Sequence, residues 1–225
     1  LPLSLFVASP PSGAGTRAGA PQQSLRQALA EAFGHRSFVL LVIGFFTCGF
    51  QLAFMTVHFQ KYVVEAGLAP EVGYWAFALV GIFNMVGSLG AGWLASRMPR
   101  RILLSFIYLA RSAAILVFIS VPAAPFSAYV FGAVMGLLWL STVPPTSSLV
   151  GLMFGTRYFA MLYGFAFFSH QVGGFLGVLL GGVMREWTGS YNSVWWLSVA
   201  LGIASAAINL PIIEKPVARP AIANA

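Results

Sequence analysis

The sequence predicts an all-α polytopic membrane protein with six transmembrane helices. Three observations carry that prediction. The 225 residues are 59% hydrophobic and only 8% charged, with a mean hydropathy of +0.85, whereas a soluble domain carries about a quarter charged residues. The apolar residues fall in successive runs of roughly 20, the length a bilayer demands. Lysine and arginine sit at the ends of those runs. The 24 glycines and 20 phenylalanines suit tightly packed and lipid-facing helices, where glycine is tolerated better than in soluble ones.

Residues 1–37 form a region of different composition, read as a cytoplasmic connector. "LPLSLFVASP" reads as the tail of an earlier membrane helix, and "SPPSGAGTRAGAPQQS" as a Pro/Gly/Ser/Ala linker. "SLRQALAEAFGHRSF" predicts a short amphipathic helix at the membrane surface, with Ser24 as its N-cap. The membrane bundle follows over 38–213. Its six spans are 38–59, 74–95, 102–121, 126–153, 158–183 and 193–212, the fourth interrupted by Pro144-Pro145. Residues 214–225 are left as a cytoplasmic tail.

Orientation follows from the basic residues. With the N-terminus inside, Arg17, Arg26, Arg36, Arg97, Arg100, Arg101, Arg157, Lys215 and Arg219 are cytoplasmic, while only Lys61 and Arg185 are outside. That asymmetry is the positive-inside signature and places both termini in the cytoplasm. It also explains the net charge of +7 without nucleic acid. Trp187, Trp195 and Trp196 read as an outer interfacial belt. The single cysteine, Cys48, allows no disulfide within the chain, and no metal-ligand spacing exists. Small residues recur every fourth position as Gly173/Gly177/Gly181, Gly132/Gly136 and Ser88/Gly92/Ser96, a spacing that lets helix backbones approach closely.

"GWLASRMPRR" from Gly92 and "GVMREWTGSY" from Gly182 form a weak echo. Three helices separate them, so they fall on opposite membrane faces, as an inverted three-helix repeat requires. The first stretch resembles the G-x-x-x-D-R-x-G-R-R loop signature of the major facilitator superfamily, with Gly92, Arg97, Arg100 and Arg101 in the matching places. Ser96 replaces the signature Asp and Pro99 its Gly, which removes the usual acidic latch between helices. "IYLARS", "GLLWLSTVPPTSSLV", "FGTRYFAMLYGFAFFSHQVGGFLG" and "TGSYNSVWWLSVALG" are similar to bacterial monocarboxylate and oxalate/formate transporters of that superfamily. The resemblance covers about residues 25–213. It implies one six-helix half of a twelve-helix carrier in the bacterial inner membrane, an inverted 3+3 repeat, with the first six helices outside this chain.

Polar residues inside the spans are the candidate site. At about 1.5 Å per residue, Gln51, Asn84, Arg111 and His170 each lie roughly 14–20 Å from the inner face. Gln171 adjoins His170, and Pro144-Pro145 mark a hinge or cavity lining. Arg111 has no carboxylate at its depth, because Glu31, Glu65, Glu71, Glu186 and Glu214 all lie outside the apolar runs. Its partner is therefore backbone, water, the other half, or an anionic substrate that its planar fork would grip. Competing chemistries fail on spacing. Ser169 and His170 point about 100° apart on a helix and form no dyad. His58 and His170 differ in depth by roughly 10 Å, too far for one haem. The expectation is a secondary transporter, not an enzyme and without cofactor, that carries a small organic anion, with a non-transporting membrane protein or a half-carrier needing a partner as the alternative.

Overall fold

The computed structural model describes residues 23–217. The linker up to residue 22, Arg17, the opening apolar stretch and Arg219 lie outside the described residues. Among those described, every regular element is a helix: α1 (Leu25–Gly34), α2 (Arg36–Glu65), α3 (Pro70–Ala95), α4 (Arg100–Ser120), α5 (Pro125–Leu138), α6 (Val143–Phe154), α7 (Phe159–Thr188) and α8 (Asn192–Asn209).

Local signals set most boundaries. Ser24 and Gln27 form the capping box that starts α1, each satisfying a backbone N–H that a helix start leaves free. Proline opens α3, α5 and α6, where its missing N–H costs nothing. Gly155 at φ 77° ends α6 and Gly189 at φ 71° ends α7, left-handed positions that favour glycine.

Five spans are long and apolar enough to cross a membrane: α2, α3, α4, the joined Pro125–Phe154 segment, and α7. The sixth, α8, has 18 residues and an asparagine at each end, so it is shorter than the expected 193–212. Conversely α2 and α7 run 30 residues each, beyond the expected 38–59 and 158–183. The fourth span is two helices, broken at Trp139–Thr142. The break therefore precedes Pro144-Pro145, which instead begin α6.

The packing has internal symmetry. The most extensive contacts are α2 on α7, α3 on α5 and α4 on α8, followed by α2 on α8 and α4 on α5. Exchanging the first three spans for the last three maps this set onto itself. Glycines make the two equivalent close approaches. A Cβ on Gly173 or Gly177 of α7 would strike the backbone at Phe46 or Phe50 of α2, and one on Gly49 would strike His170. In the same way Gly132 and Gly136 of α5 abut Ala76 and Val80 of α3, and Gly87 abuts Leu137. The expected α3 face of Ser88, Gly92 and Ser96 is corrected by one residue: Gly87, Ala91 and Ala95 face the bundle, while Ser96 is exposed.

One tryptophan expectation also changes. Trp187 and Trp196 are exposed, as a belt requires, but Trp195 is 1% exposed. Its ring packs among Phe54, Tyr62, Phe118 and Phe131. Consecutive helix positions point apart, so adjacent tryptophans cannot share one face.

Candidate functional site

The break in the fourth span frees backbone groups inside the membrane, where each unpaired one costs several kcal/mol. Two predicted site residues take them. Arg111 of α4 is 0% exposed. Its Nε–H donates to the Leu138 carbonyl at 3.0 Å, and Nη2 donates to the carbonyls of Leu138 and Trp139. Asn84 of α3 works on the other polarity: its Oδ1 accepts the Leu140 N–H at 3.1 Å and the Ser88 hydroxyl at 3.1 Å. Arg111 is thus the cation at the carbonyl end of α5, favoured by the helix dipole. α4, the third span, points it into the bundle, away from Phe106 and Leu109 on the exposed face.

His170, on α7, lies between the Phe45 and Phe167 rings at centroid distances of 5.0 and 5.2 Å. Its Nδ1 meets Gln171 Oε1 at 3.2 Å. Cys48 is fully buried and meets the Thr142 hydroxyl in the break at 3.1 Å. One turn on, Gln51 donates to the Ser198 carbonyl at 2.9 Å. So Cys48 ties α2 to the break that Arg111 and Asn84 hold, while Gln171 stays exposed. Three buried atoms in this region have no hydrogen-bond partner: Arg111 Nη1, Tyr108 Oη and Gln51 Oε1.

Sequence reasoning missed Cys48 and Tyr108 as members of this region. Each is common inside apolar helices, and only their convergence marks them. The available signal was spacing: Cys48 lies one turn before Gln51, and Tyr108 one turn before Arg111. His58 is separate and packs elsewhere, with Nε2 on the Val178 carbonyl at 3.0 Å. Ser169 is bonded to the Val42 carbonyl.

The loop-signature residues cluster at the opposite end of α4. Arg97 covers the Trp93 ring at 3.9 Å. Arg100 reaches Ser148 and Glu214, at 2.6 and 3.4 Å. Arg101 donates its backbone N–H to Glu214 at 2.8 Å and its guanidinium to the Leu210 carbonyl. Glu214 thereby supplies the carboxylate absent at Ser96. The segment after α8 is tied down further, Ile213 N–H to Ser37 and Val217 N–H to the Met153 carbonyl. Gly92 has ordinary contact with Pro144 at 3.9 Å from a built Cβ.

A six-helix bundle with mirrored halves, a broken fourth span and a basic loop after the second is the architecture of facilitator carriers. The sequence pattern of the Major Facilitator Superfamily matches residues 1–178, and the chain belongs to that family. It is 28% identical over 187 residues to "Uncharacterized MFS-type transporter YcxA" of Bacillus subtilis (strain 168), covering 80% of this chain and 45% of that protein. A variant of the E. coli fucose:proton symporter FucP has the same fold, with TM-score 0.68 and 18% identity over 92% of this chain and 51% of that one. FucP in the outward conformation matches with TM-score 0.66 and 18% identity, over 92% of this chain and 50% of that one. The chain therefore spans about half the length of the proteins it matches.

Proposed function

We propose that the whole protein is a secondary transporter of a small organic anion, a monocarboxylate being the best-fitting class, and that this chain is its C-terminal half. The observation that carries the reading is the Arg111 charge. It is fully buried beside other polar groups, and the glutamates of the membrane bundle sit only at helix ends or beyond them. A guanidinium stays charged at any accessible pH, so the bundle holds a fixed positive potential that favours an anion over a neutral sugar. Gln51, Asn84, His170 and Gln171 complete the polar belt around it. Entry of the anion to Arg111 Nη1 requires movement at the break, for which Trp139–Thr142 and the following Pro144-Pro145 form the hinge.

His170 supplies the proton coupling. Histidine is the side chain whose charge changes between about pH 5 and 8 when unperturbed, and His170 lies on α7 beside the ring of Phe45. Protonation adds a second positive charge and favours anion binding, so uptake rises as pH falls through its titration. The missing N-terminal half is the partner. Only 11% of the α3 apolar window and 22% of that of α7 are buried within this chain, leaving broad faces for the partner half and for lipid. The protein resides in the bacterial inner membrane with both ends of this half cytoplasmic. A half-carrier that pairs with a separate partner is the second reading, favoured by the half-length match; a native product near 24.0 kDa supports it, and one near twice that mass supports a single chain.

The test is uptake of a labelled carboxylate panel into vesicles, with and without a pH gradient. At normal expression, His170→Gln flattens the pH profile and Arg111→Gln abolishes uptake. Unchanged uptake in Arg111→Gln removes the anion reading, and an unchanged profile in His170→Gln moves the proton carrier to the other half.

A further inference from the structure

We propose that the cavity where the α3–α4 loop meets the segment after α8 binds the headgroup of an anionic phospholipid, with Arg97, Arg101 and Lys215 as the phosphate donors. The acyl chains then lie along the exposed face beside it, on α4 and the end of α8. This goes beyond the transport reading and does not rest on it.

The cavity has a volume of about 510 Å³ and is lined by residues 95–101 and 212–215, a size within the ordinary range of small-ligand sites. Its charge is one-sided. Arg97, Arg100, Arg101 and Lys215 face a single carboxylate, Glu214, which leaves three net positive charges. Existing contacts decide which cations can take a ligand. Arg100 is committed: its Nε–H donates to the Ser148 hydroxyl at 2.6 Å and Nη1 to Glu214 at 3.4 Å. Glu214 also accepts the Arg101 backbone N–H at 2.8 Å, so the start of α4 already has its anion. Arg101 gives one guanidinium N–H to the Leu210 carbonyl at 3.2 Å and keeps the others. Arg97 lies over the Trp93 ring, its Cζ 3.9 Å from the centroid. That contact holds the guanidinium by its face and leaves its edge N–H groups for another partner. Lys215 is exposed and in no ion pair among the described residues. Two exposed cations and part of a third therefore meet at one cavity whose carboxylate is already engaged.

The surface beside the cavity selects a lipid over a free phosphate. Ile102, Phe106 and Leu109 are exposed and form one stripe of α4, a turn apart, starting at the residue after Arg101. Leu210 and Ile213 are exposed where α8 ends. The Arg101 bond to Leu210 and a Ser105 bond to the Ala206 carbonyl at 2.8 Å hold the two helices side by side there. Cationic donors thus adjoin an apolar face, the layout of a phospholipid, with phosphate at the rim and chains along the helices. A free phosphate would use the donors and leave the stripe without a role. The charge also selects an anionic headgroup over a zwitterionic one, since a choline would bring a cation to a cavity that already holds three net positive charges. On the topology proposed above the site faces the inner leaflet, whose surface potential is negative.

The test is titration of the full-length carrier in detergent micelles with phosphatidylglycerol and with phosphatidylcholine of the same chains, bound lipid being counted by native mass spectrometry. Wild type is expected to hold phosphatidylglycerol more tightly, with a preference that falls as salt rises. A basic residue at an anionic surface is worth about fivefold, so Arg97→Gln combined with Lys215→Gln weakens phosphatidylglycerol about twenty-fivefold and leaves phosphatidylcholine unchanged. Arg97→Lys with Lys215→Arg keeps both charges and the preference. Lys61→Gln, near the far end of α2, changes nothing. Equal affinity for the two lipids, wild-type binding in the glutamine pair, or an equal loss in Lys61→Gln or in the charge-keeping pair overturns the proposal. Inorganic phosphate in excess is expected to displace no phosphatidylglycerol; displacement identifies the ligand as a free anion and overturns the lipid assignment. Binding is read without uptake, so the result stands whether or not the carrier moves a carboxylate.

Discussion

Replacing Arg111 by methionine tests the claim that a buried cation holds the broken fourth span together. The substitution keeps an unbranched apolar stem and removes three hydrogen bonds to the carbonyls of Leu138 and Trp139. An orphaned buried acceptor costs about 1–3 kcal/mol, so two carbonyls give about 2–6 kcal/mol. Interhelical hydrogen bonds measured in membranes average only about 0.6 kcal/mol and reach about 1.7, which for three bonds gives about 2–5 kcal/mol. Opposing both is the relief of removing a charge with no acidic partner, and exchange of buried ionic groups for apolar ones is often neutral or favourable by about 1–4 kcal/mol. Orphaning wins because the carbonyls stay behind in a place water does not reach. The expected net loss is about 2 kcal/mol, read as denaturant unfolding of the purified carrier in detergent micelles. Arg111→Lys holds one carbonyl and loses about half as much. A methionine variant within about 0.5 kcal/mol of wild type, the usual range for an inconsequential substitution, would refute the capping role and leave Arg111 free to serve substrate alone.

The remaining expectations follow from particular contacts. Gly173→Val drives a side chain into the α2 backbone at Phe46 and costs at least the 1–3 kcal/mol or so of overpacking, read as loss of folded protein on size-exclusion chromatography. Gly81→Val meets nothing within 4 Å and leaves this half folded; weaker pairing with the N-terminal half is expected there, by co-purification of separately expressed halves, and full pairing counts against an α3 interface. Glu214→Gln removes the carboxylate from the Arg101 N–H and Arg100, a partly exposed contact of about 1 kcal/mol, and speeds protease cleavage after α8; equal cleavage rates exclude the tether. In a Cys48→Ser background, Met98→Cys is labelled by an impermeant thiol reagent only from the cytoplasm and Lys61→Cys only from outside. Outside labelling at position 98 inverts the topology.

Hydropathy determined by itself that this chain is a helical membrane protein, and roughly where its spans fall, because the bilayer acts on every residue one at a time according to depth. Ser24 likewise marked a helix start, since capping is settled within one turn, whereas Pro144-Pro145 read as an interruption and instead begin α6. The four-residue glycine spacing at Gly132/Gly136 and Gly173/Gly177 was legible as close packing, although the sequence did not name the partners as α3 and α2. Only the tertiary structure placed Trp195 inside and Trp196 outside, and moved the α3 contact face to Gly87, Ala91 and Ala95. Rotation of a helix about its axis depends on its neighbours, and in an apolar solvent no polar face gives it away. The break at Trp139–Thr142, its capping by Arg111 and Asn84, and the meeting of Cys48 with Thr142 were decided the same way. Each joins residues far apart in the chain, and a buried polar group takes its meaning from the partner that satisfies it.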